Sequence, residues 1–165
     1  MKIFGIAGFK NSGKTTLVVE LVQEFCKRGL RAGTIKHAHH NFDIDHPGKD
    51  SYAHRQAGAN EVIVASANRW AHISELRTAK EPSLEELISK FGDLDIVLIE
   101  GYKRGQHPKL ELRRAGIPRL DSGGGDASIV AIVTDTIAGD EAVPVLLRDN
   151  VFAIADYILA NAMEA

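Results

Sequence analysis

The sequence has a single cysteine, no long apolar run and no excess of either charge, and each shortage excludes a class of protein. Cys26 has no partner for an internal disulfide, and its place on the apolar stripe of a predicted helix favours a packed thiol. The longest apolar runs fall far short of the roughly 20 residues that a membrane-spanning helix needs. The N-terminus starts in a strand-like segment without a signal-peptide pattern. We therefore expect a cytoplasmic protein with no membrane partner.

Charge and length narrow the choice further. Twenty Lys and Arg face twenty-two Asp and Glu, for a net charge of −2, so no electrostatic footprint for nucleic acid is present. A chain of 165 residues is long enough to bury one core and too short for two domains of ordinary size. We expect a single domain over residues 1–165.

The most informative stretch is G-F-K-N-S-G-K-T-T, from Gly8 to Thr16. Gly8 and Gly13 bracket four residues, and Lys14 and Thr15 follow at once, which matches the phosphate-binding loop G-x-x-x-x-G-K-[ST]. The glycines let backbone N–H groups close around phosphate oxygens at a helix N-terminus. Lys14 would reach the β and γ phosphates, and the hydroxyl of Thr15 would hold Mg²⁺. The alternative is a glycine-rich turn with a solvated lysine.

Apolar patterning predicts strands that alternate with helices. The predicted strands cover 1–7, 31–36, 95–101, 128–133 and 144–147, and the predicted helices cover 17–26, 83–91 and 151–159. A β-hairpin is predicted at 61–65 and 70–74. This order indicates an α/β fold like that of P-loop NTPases, a mainly parallel twisted sheet with helices on both faces and an inserted β-hairpin. The stretch 122–125 is glycine-rich and predicts a mobile loop.

Two acids in the predicted strand at 95–101 compete for a role in Mg²⁺ binding. Asp95 and Glu100 are five residues apart, about 16 Å along a strand, so both cannot reach one ion. In a parallel sheet only Glu100 lies at the ligand-binding end. We assign Glu100 to Mg²⁺ or to positioning water, the alternative being a strand-end carboxylate in solvent.

The polar segment 37–51 is predicted to be a long loop. Loops of this length in compact domains are often functional, and the carboxylates of Asp43, Asp45 or Asp50 are available to Mg²⁺ and its waters. We expect the order of this loop to change with the γ phosphate. His37 and His39 also raise the alternative of a transition-metal site, and a third alternative is a plain surface loop.

The residue that reads the base is harder to predict. The N-K-x-D signature of G proteins is absent, and Asp135, at the end of a predicted strand, is the nearest substitute. Its carboxylate would accept the two N–H donors of a guanine edge, which adenine lacks, although a solvated strand-end acid is the alternative. Further positive charges could meet phosphate or stay solvated: Arg55, Lys103, Arg104, Lys109, Arg113 and Arg114.

Three segments together resemble the MobB family of molybdopterin-guanine dinucleotide biosynthesis adapter proteins. They are the loop at 8–16, K-H-A-H-H-N-F-D-I-D-H-P-G-K-D-S-Y at 36–52, and I-V-L-I-E-G-Y-K at 96–103. The resemblance covers nearly the whole chain. It implies binding of GTP with Mg²⁺, weak GTPase activity, and assistance to a MobA-like guanylyltransferase that acts on molybdopterin. It also implies a homodimer, with Trp70 and Ile73 of the hairpin as a contact.

The resemblance also implies a set of site residues. The nucleotide-binding residues are Gly8, Lys10, Asn11, Ser12, Gly13, Lys14, Thr15 and Thr16. The P-G-K-D-S and E-G-Y-K segments join the site. The expected metal ligands are Thr15, Asp50 and Glu100. The expected catalytic residues are Lys14 and Glu100. The rival hypothesis is a small ATP-dependent P-loop kinase or ligase with a basic lid at 113–114. A third is an adapter without useful hydrolysis.

Overall fold

The computed structural model describes residues 1–38, 42–120, 126–136 and 141–165. The predicted loop at 122–125 and the role of His39 lie outside the described residues. The elements in chain order are β1 Lys2–Ala7, α1 Lys14–Lys27, β2 Ala32–Lys36, α2 Asp50–Gln56, β3 Glu61–Ala65, β4 Trp70–Ser74, α3 Leu84–Ile88, β5 Ile96–Glu100, β6 Lys109–Arg113, β7 Ile129–Thr134, β8 Val145–Leu147, α4 Val151–Asn161 and β9 Met163–Glu164. In the described ranges, no helix is both long and apolar enough to cross a membrane.

The chain divides into two compact units, one of residues 1–37 with 87–165 and one of residues 38–86. The larger unit holds a sheet with the strand order β2-β5-β1-β6-β7-β8, in which every neighbouring pair is parallel. Among the strands of this sheet in the described residues, only β9 is antiparallel, against β1. The predicted α/β class with a mainly parallel sheet is confirmed. Because the strands are parallel, their carboxyl ends share one edge, where ligands bind in such sheets.

Helices α1 and α4 pack together on one face of this sheet. Leu17, Leu21 and Phe25 of α1 are fully buried with Ile154 and Ile158 of α4, and each such side chain contributes about 1.5–3 kcal/mol on burial. On the other face, Phe91 and Leu94 pack against β2, where a Cβ at position 33 would lie 2.6 Å from Leu94 Cδ1. The larger unit thus has its core around the strand that leads into the glycine loop.

The prediction of a packed Cys26 is wrong, because its side chain is exposed. Successive helical residues turn by about 100°, so position 26 lies a quarter turn or more beyond the buried face of Leu17, Leu21 and Phe25. The apolar stripe of α1 is therefore wider than the face of this helix that is buried.

Strand β6 was not predicted from the sequence, although its five residues alternate strictly between charged and apolar. Leu110 and Leu112 join the core, while Lys109 and Glu111 are buried on the other face, each 1% exposed. Charged residues are rarely buried unless they are paired. The charged residues in segment 109–113 therefore argued against a central strand there. Both are paired here, Lys109 with Ser128 and Glu111 with Arg113.

The smaller unit contains the inserted β-hairpin, which the structure confirms. Strands β3 and β4 form a separate two-stranded antiparallel sheet, with Val62 opposite Ile73. The predicted loop 37–51 ends at Lys49, the N-cap of the short helix α2. The start of α3 is fixed by reciprocal bonds: the Ser83 N–H donates to Glu86 Oε2 (2.7 Å) and the Glu86 N–H donates to Ser83 Oγ (3.2 Å). The helix ends at Ile88 rather than at Phe91.

Candidate functional site

The loop between β1 and α1 has a backbone that only glycine accommodates at two positions. Gly8 has a φ of +152°, and a Cβ there would lie 2.7 Å from Ser12 Oγ and 2.8 Å from the carbonyl oxygen of Leu112. Gly13, the N-cap of α1, has a φ of +92°. The loop therefore turns tightly over the end of β6, and any side chain at position 8 would push it off the sheet.

This loop leaves polar groups for a ligand. Gly13 has no side chain to cap α1, so the first N–H groups of the helix remain available to an anion. Ser12 is buried, and its hydroxyl has no hydrogen-bond partner among the described residues. Lys10, Asn11 and Thr16 are exposed along the loop and the first turn. A cradle of N–H groups with an unpartnered hydroxyl fits a phosphate group.

Lys14 brings positive charge into the cradle. Its ammonium group donates to the carbonyl oxygen of Phe9 at 2.7 Å. Burial lowers the pKa of Lys14, an effect that Glu100 opposes and that Lys103 and Lys36 reinforce. Lys103 lies against the loop itself, with Nζ 4.9 Å from the centre of the Phe9 ring. Lys14 thus lies close to two further positive charges, an arrangement suited to a ligand with several negative charges.

Thr15 and Glu100 meet at the edge of the sheet. Glu100, the last residue of β5, pairs in register with Ile6 of β1 and Lys36 of β2, and its side chain is only 11% exposed. The Thr15 hydroxyl donates to Glu100 Oε1 at 3.1 Å. Two neighbouring ligands of octahedral Mg²⁺ at bonds of 2.0–2.1 Å are about 3 Å apart. The oxygens of Thr15 and Glu100 therefore fit this ion, and both line an open groove of about 390 Å³.

Asp95 lies at the opposite end of β5, as predicted. Its carboxylate accepts the backbone N–H of Arg31 at 2.7 Å, and the Arg31 guanidinium donates to Asp93 and Asp95. These bonds lower the pKa of Asp95 below its usual range. The prediction that the two acids lie at opposite ends of this strand, with only Glu100 at the carboxyl edge of the sheet, is confirmed; the part of Glu100 in ligand binding stays a prediction.

Asp135 follows β7 at the same edge of the sheet. It is exposed, and its Oδ2 lies 3.8 Å from Nε of Arg114, which is exposed too. Arg114 lines a second cavity of about 270 Å³ together with Thr134 and Glu141. A loose pair of this kind in solvent contributes little, so the carboxylate can exchange Arg114 for another donor. The guanine-reading role of Asp135 stays a prediction.

Two of the other basic residues are already engaged within the protein. Lys109 Nζ donates to the carbonyl oxygens of Lys103 and Gly105 and to Ser128 Oγ. Arg113 lies 2.7 Å from Glu111 and 2.9 Å from Glu141. Neither is placed as a phosphate ligand, and Arg113 is not free to act as a lid.

The acids of segment 42–50 belong to the smaller unit. Arg55 binds Asp43 (2.9 Å), Asp45 (3.2 Å) and Glu75 (2.6 Å). The Arg55 hydrogen bonds hold the pKa of Asp43 below its ordinary value, so Asp43 and Asp45 serve as internal partners of Arg55. Asp50 begins α2, and its role as a metal ligand stays a prediction, as does the ordering of the 37–51 loop.

The histidines do not form a metal site in the part of the chain that the structure describes, where no cluster of three or more His, Cys, Asp or Glu side chains could hold an ion. The ring of His37 instead lies 4.7 Å from the ring of Tyr102.

A residue that the sequence analysis missed is Lys36, whose Nζ lies 3.5 Å from Glu100 Oε1. Its position at the end of a strand next to β5 was the available signal.

The parallel sheet, the glycine loop after its first strand and the Thr15–Glu100 pair at its edge define an α/β protein of the P-loop type. A family model, MobB: Molybdopterin guanine dinucleotide synthesis protein B, matches residues 3–135. The chain belongs to this family.

Individual relatives agree with the family assignment. The molybdopterin-guanine dinucleotide biosynthesis adapter protein of Escherichia coli K12 is 38% identical over 160 residues, which cover 95% of this chain and 91% of that protein. The protein of the same name from Haemophilus influenzae is 43% identical over 114 residues, which cover 68% of this chain and 63% of that protein. The crystal structure of Bacillus subtilis MobB has the same fold, with a TM-score of 0.75 over both whole chains at 24% identity.

Proposed function

We propose that this protein binds GTP with Mg²⁺ and acts as an accessory protein in the guanylylation of molybdopterin. The observation that carries the proposal is the convergence of Lys14, Thr15 and Glu100 beside the glycine loop, with a 3.1 Å contact between the Thr15 and Glu100 oxygens. The adapter proteins to which the chain is similar are named for molybdopterin-guanine dinucleotide biosynthesis, which is why guanine is the base that we propose.

Each site residue has a distinct part in this proposal. The loop N–H groups and Lys14 bind the phosphates, and bound Mg²⁺ would neutralise charge on the phosphate oxygens. Thr15 and Glu100 would hold that ion, with Asp50 as a further proposed ligand. The Asp135 carboxylate would accept hydrogen bonds from the N–H donors of the guanine edge. Hydrolysis is proposed to be slow, because Glu100 would be occupied as a ligand of Mg²⁺ and would not be free to orient the attacking water.

The kinase or ligase alternative is less well supported. It needs a mobile basic lid at 113–114, whereas Arg113 is held between Glu111 and Glu141. Breaking a buried charge pair of this kind costs about 3–5 kcal/mol. An adapter role, in which GTP binding rather than rapid turnover matters, agrees better with these contacts.

A MobA-like guanylyltransferase is the proposed partner, and a second copy of the chain is another. The hairpin carries Ile63 and Trp70 with exposures of 66% and 68%, and exposed apolar surface on a small protein marks interaction sites. We expect Trp70→Ser to shift the protein from dimer to monomer in sedimentation; an unchanged sedimentation coefficient would place the contact elsewhere. The single domain and the cytoplasmic location expected from the sequence remain part of the proposal.

The function is tested by reconstitution. Purified guanylyltransferase, molybdopterin and GTP are combined with this protein or with its Lys14→Ala variant, and dinucleotide formation is measured. We expect the wild type to raise the yield several-fold and the variant to raise it much less. Equal yields with and without the wild-type protein would contradict the accessory role, and equal stimulation by the variant would contradict the role of the loop.

A further inference from the structure

Lys36 occupies a position at the site that the proposed function does not use. Its Nζ lies 3.4 Å from Thr15 Oγ1 and 3.5 Å from Glu100 Oε1, the two oxygens proposed to hold Mg²⁺. A metal with bonds of about 2.1 Å to both oxygens would lie no more than about 4.5 Å from this ammonium nitrogen. A divalent ion and the ammonium group therefore compete for the same pair of oxygens.

The other cations of the site do not have this position. Lys14 donates to the carbonyl oxygen of Phe9, and Lys103 lies over the Phe9 ring. Lys36 is the lysine found within 4 Å of both oxygens in the described residues. Its main chain is fixed by β2, in register with Glu100 of β5.

The two members of the Lys36–Glu100 pair differ in their freedom to move. The Glu100 side chain is 11% exposed, whereas that of Lys36 is 59% exposed. A carboxylate with so little contact with water needs a nearby positive charge, and a lysine stem with an exposed end can swing its charge into solvent. The ammonium group of Lys36 can therefore move away from the site, while the carboxylate of Glu100 stays in place.

We propose that Lys36 is a built-in stand-in for Mg²⁺: its ammonium group neutralises Glu100 in the nucleotide-free protein and moves away when Mg²⁺ arrives with the nucleotide. This inference rests on the proposed Mg-GTP site and adds a regulatory residue to it. It has two consequences. First, divalent metal alone binds weakly, because it must displace Lys36. Second, metal and nucleotide bind cooperatively, because the phosphates of the nucleotide attract Lys36 away from the metal ligands.

Mn²⁺ binding measured by electron paramagnetic resonance, without nucleotide and with a non-hydrolysable GTP analogue, tests the proposal. Lys36→Met should bind Mn²⁺ alone at least fivefold more tightly than the wild type, while Mn²⁺ affinity in the presence of the analogue changes less than threefold. Lys36→Arg, which keeps the charge, should resemble the wild type. Lys27→Met, which removes an exposed lysine at the other end of α1, should also leave Mn²⁺ affinity unchanged.

The outcomes separate this inference from the proposed function. Unchanged or weaker binding of Mn²⁺ alone by Lys36→Met would overturn the stand-in role, provided that the wild type binds Mn²⁺ with the analogue. Lys36→Gln serves the same purpose if the Met variant does not fold. No Mn²⁺ binding by the wild type even with the analogue would contradict the Mg-GTP site itself.

Discussion

Two buried carboxylates on the strands that flank β1 have different surroundings. Glu111 of β6 is 1% exposed, and it accepts hydrogen bonds from the Leu120 N–H (2.5 Å) and from Arg113 Nε (2.7 Å). Glu100 of β5 accepts the Thr15 hydroxyl at 3.1 Å, and the exposed ammonium of Lys36 lies 3.5 Å away. The partners of the first carboxylate are themselves partly buried, whereas Thr15 and Lys36, the partners of the second, are exposed and can move.

This difference separates structural charges from ligand-binding charges. A buried acid whose partners are fixed contributes to stability and would lose those contacts if it bound a ligand. An acid whose partners are a hydroxyl and a solvated lysine can exchange them for a metal ion. Removing Glu111 should therefore affect folding, and removing Glu100 should affect binding.

The largest expected effect is on stability. Glu111→Gln leaves Arg113 beside a neutral amide and should lower the free energy of unfolding by about 3 kcal/mol, measured by urea denaturation. Glu100→Gln is the matched control and should change it by less than about 1 kcal/mol. Equal losses in the two variants would remove the distinction between the two carboxylates.

The second effect is on phosphate binding. Lys14→Ala removes a charged donor whose bond inside the folded protein is to one carbonyl oxygen, so GTP affinity should fall by about 2 kcal/mol, roughly 30-fold. The free energy of unfolding should stay within about 0.5 kcal/mol. Titration calorimetry and urea denaturation measure the two quantities, with Lys27→Ala as a control for lost charge. An unchanged GTP affinity would show that the loop is not the phosphate site.

A third effect separates metal from phosphate. Glu100→Gln should reduce the gain in GTP affinity that Mg²⁺ provides by about tenfold, or about 1.4 kcal/mol, because one metal ligand loses its charge. Affinity measured in EDTA should fall much less. If Glu100→Gln keeps the full increase in GTP affinity that Mg²⁺ provides, the metal is not bound at the end of β5.

The smallest effect concerns the base. Asp135→Asn replaces one acceptor oxygen by a donor, so the preference for GTP over ATP should fall about threefold, or about 0.7 kcal/mol. The loss is small because this exposed carboxylate already competes with Arg114 and water. A preference that does not change would leave the guanine contact to another residue.

The parts of the site that could be predicted are those encoded by neighbouring residues. The glycine loop lies within nine consecutive positions, and the capping bonds of Ser83 and Glu86 span one helical turn. The placement of Glu100 followed from the length of one strand and from the parallel sheet that the order of elements predicts. Each of these depends on local geometry that the residue types fix.

Strand β6 and Lys36 were missed because their roles depend on distant partners. Besides Arg113 on the strand itself, the buried charges of β6 are bonded to Ser128 and Leu120, which no local pattern connects to them. Lys36 reaches Glu100 only because β2 pairs with β5 in a particular register. Cys26 shows the same limitation, since its exposure depends on how far the sheet extends beneath α1.

The central claim is that Lys14, Thr15 and Glu100 form a site for GTP with Mg²⁺. Calorimetric titration of the purified protein with GTP and with ATP, each with and without Mg²⁺, tests it most directly. We expect GTP to bind more tightly than ATP and Mg²⁺ to strengthen GTP binding. Tighter binding of ATP, or GTP binding indifferent to Mg²⁺, would contradict the claim, and the first result would favour a kinase or ligase.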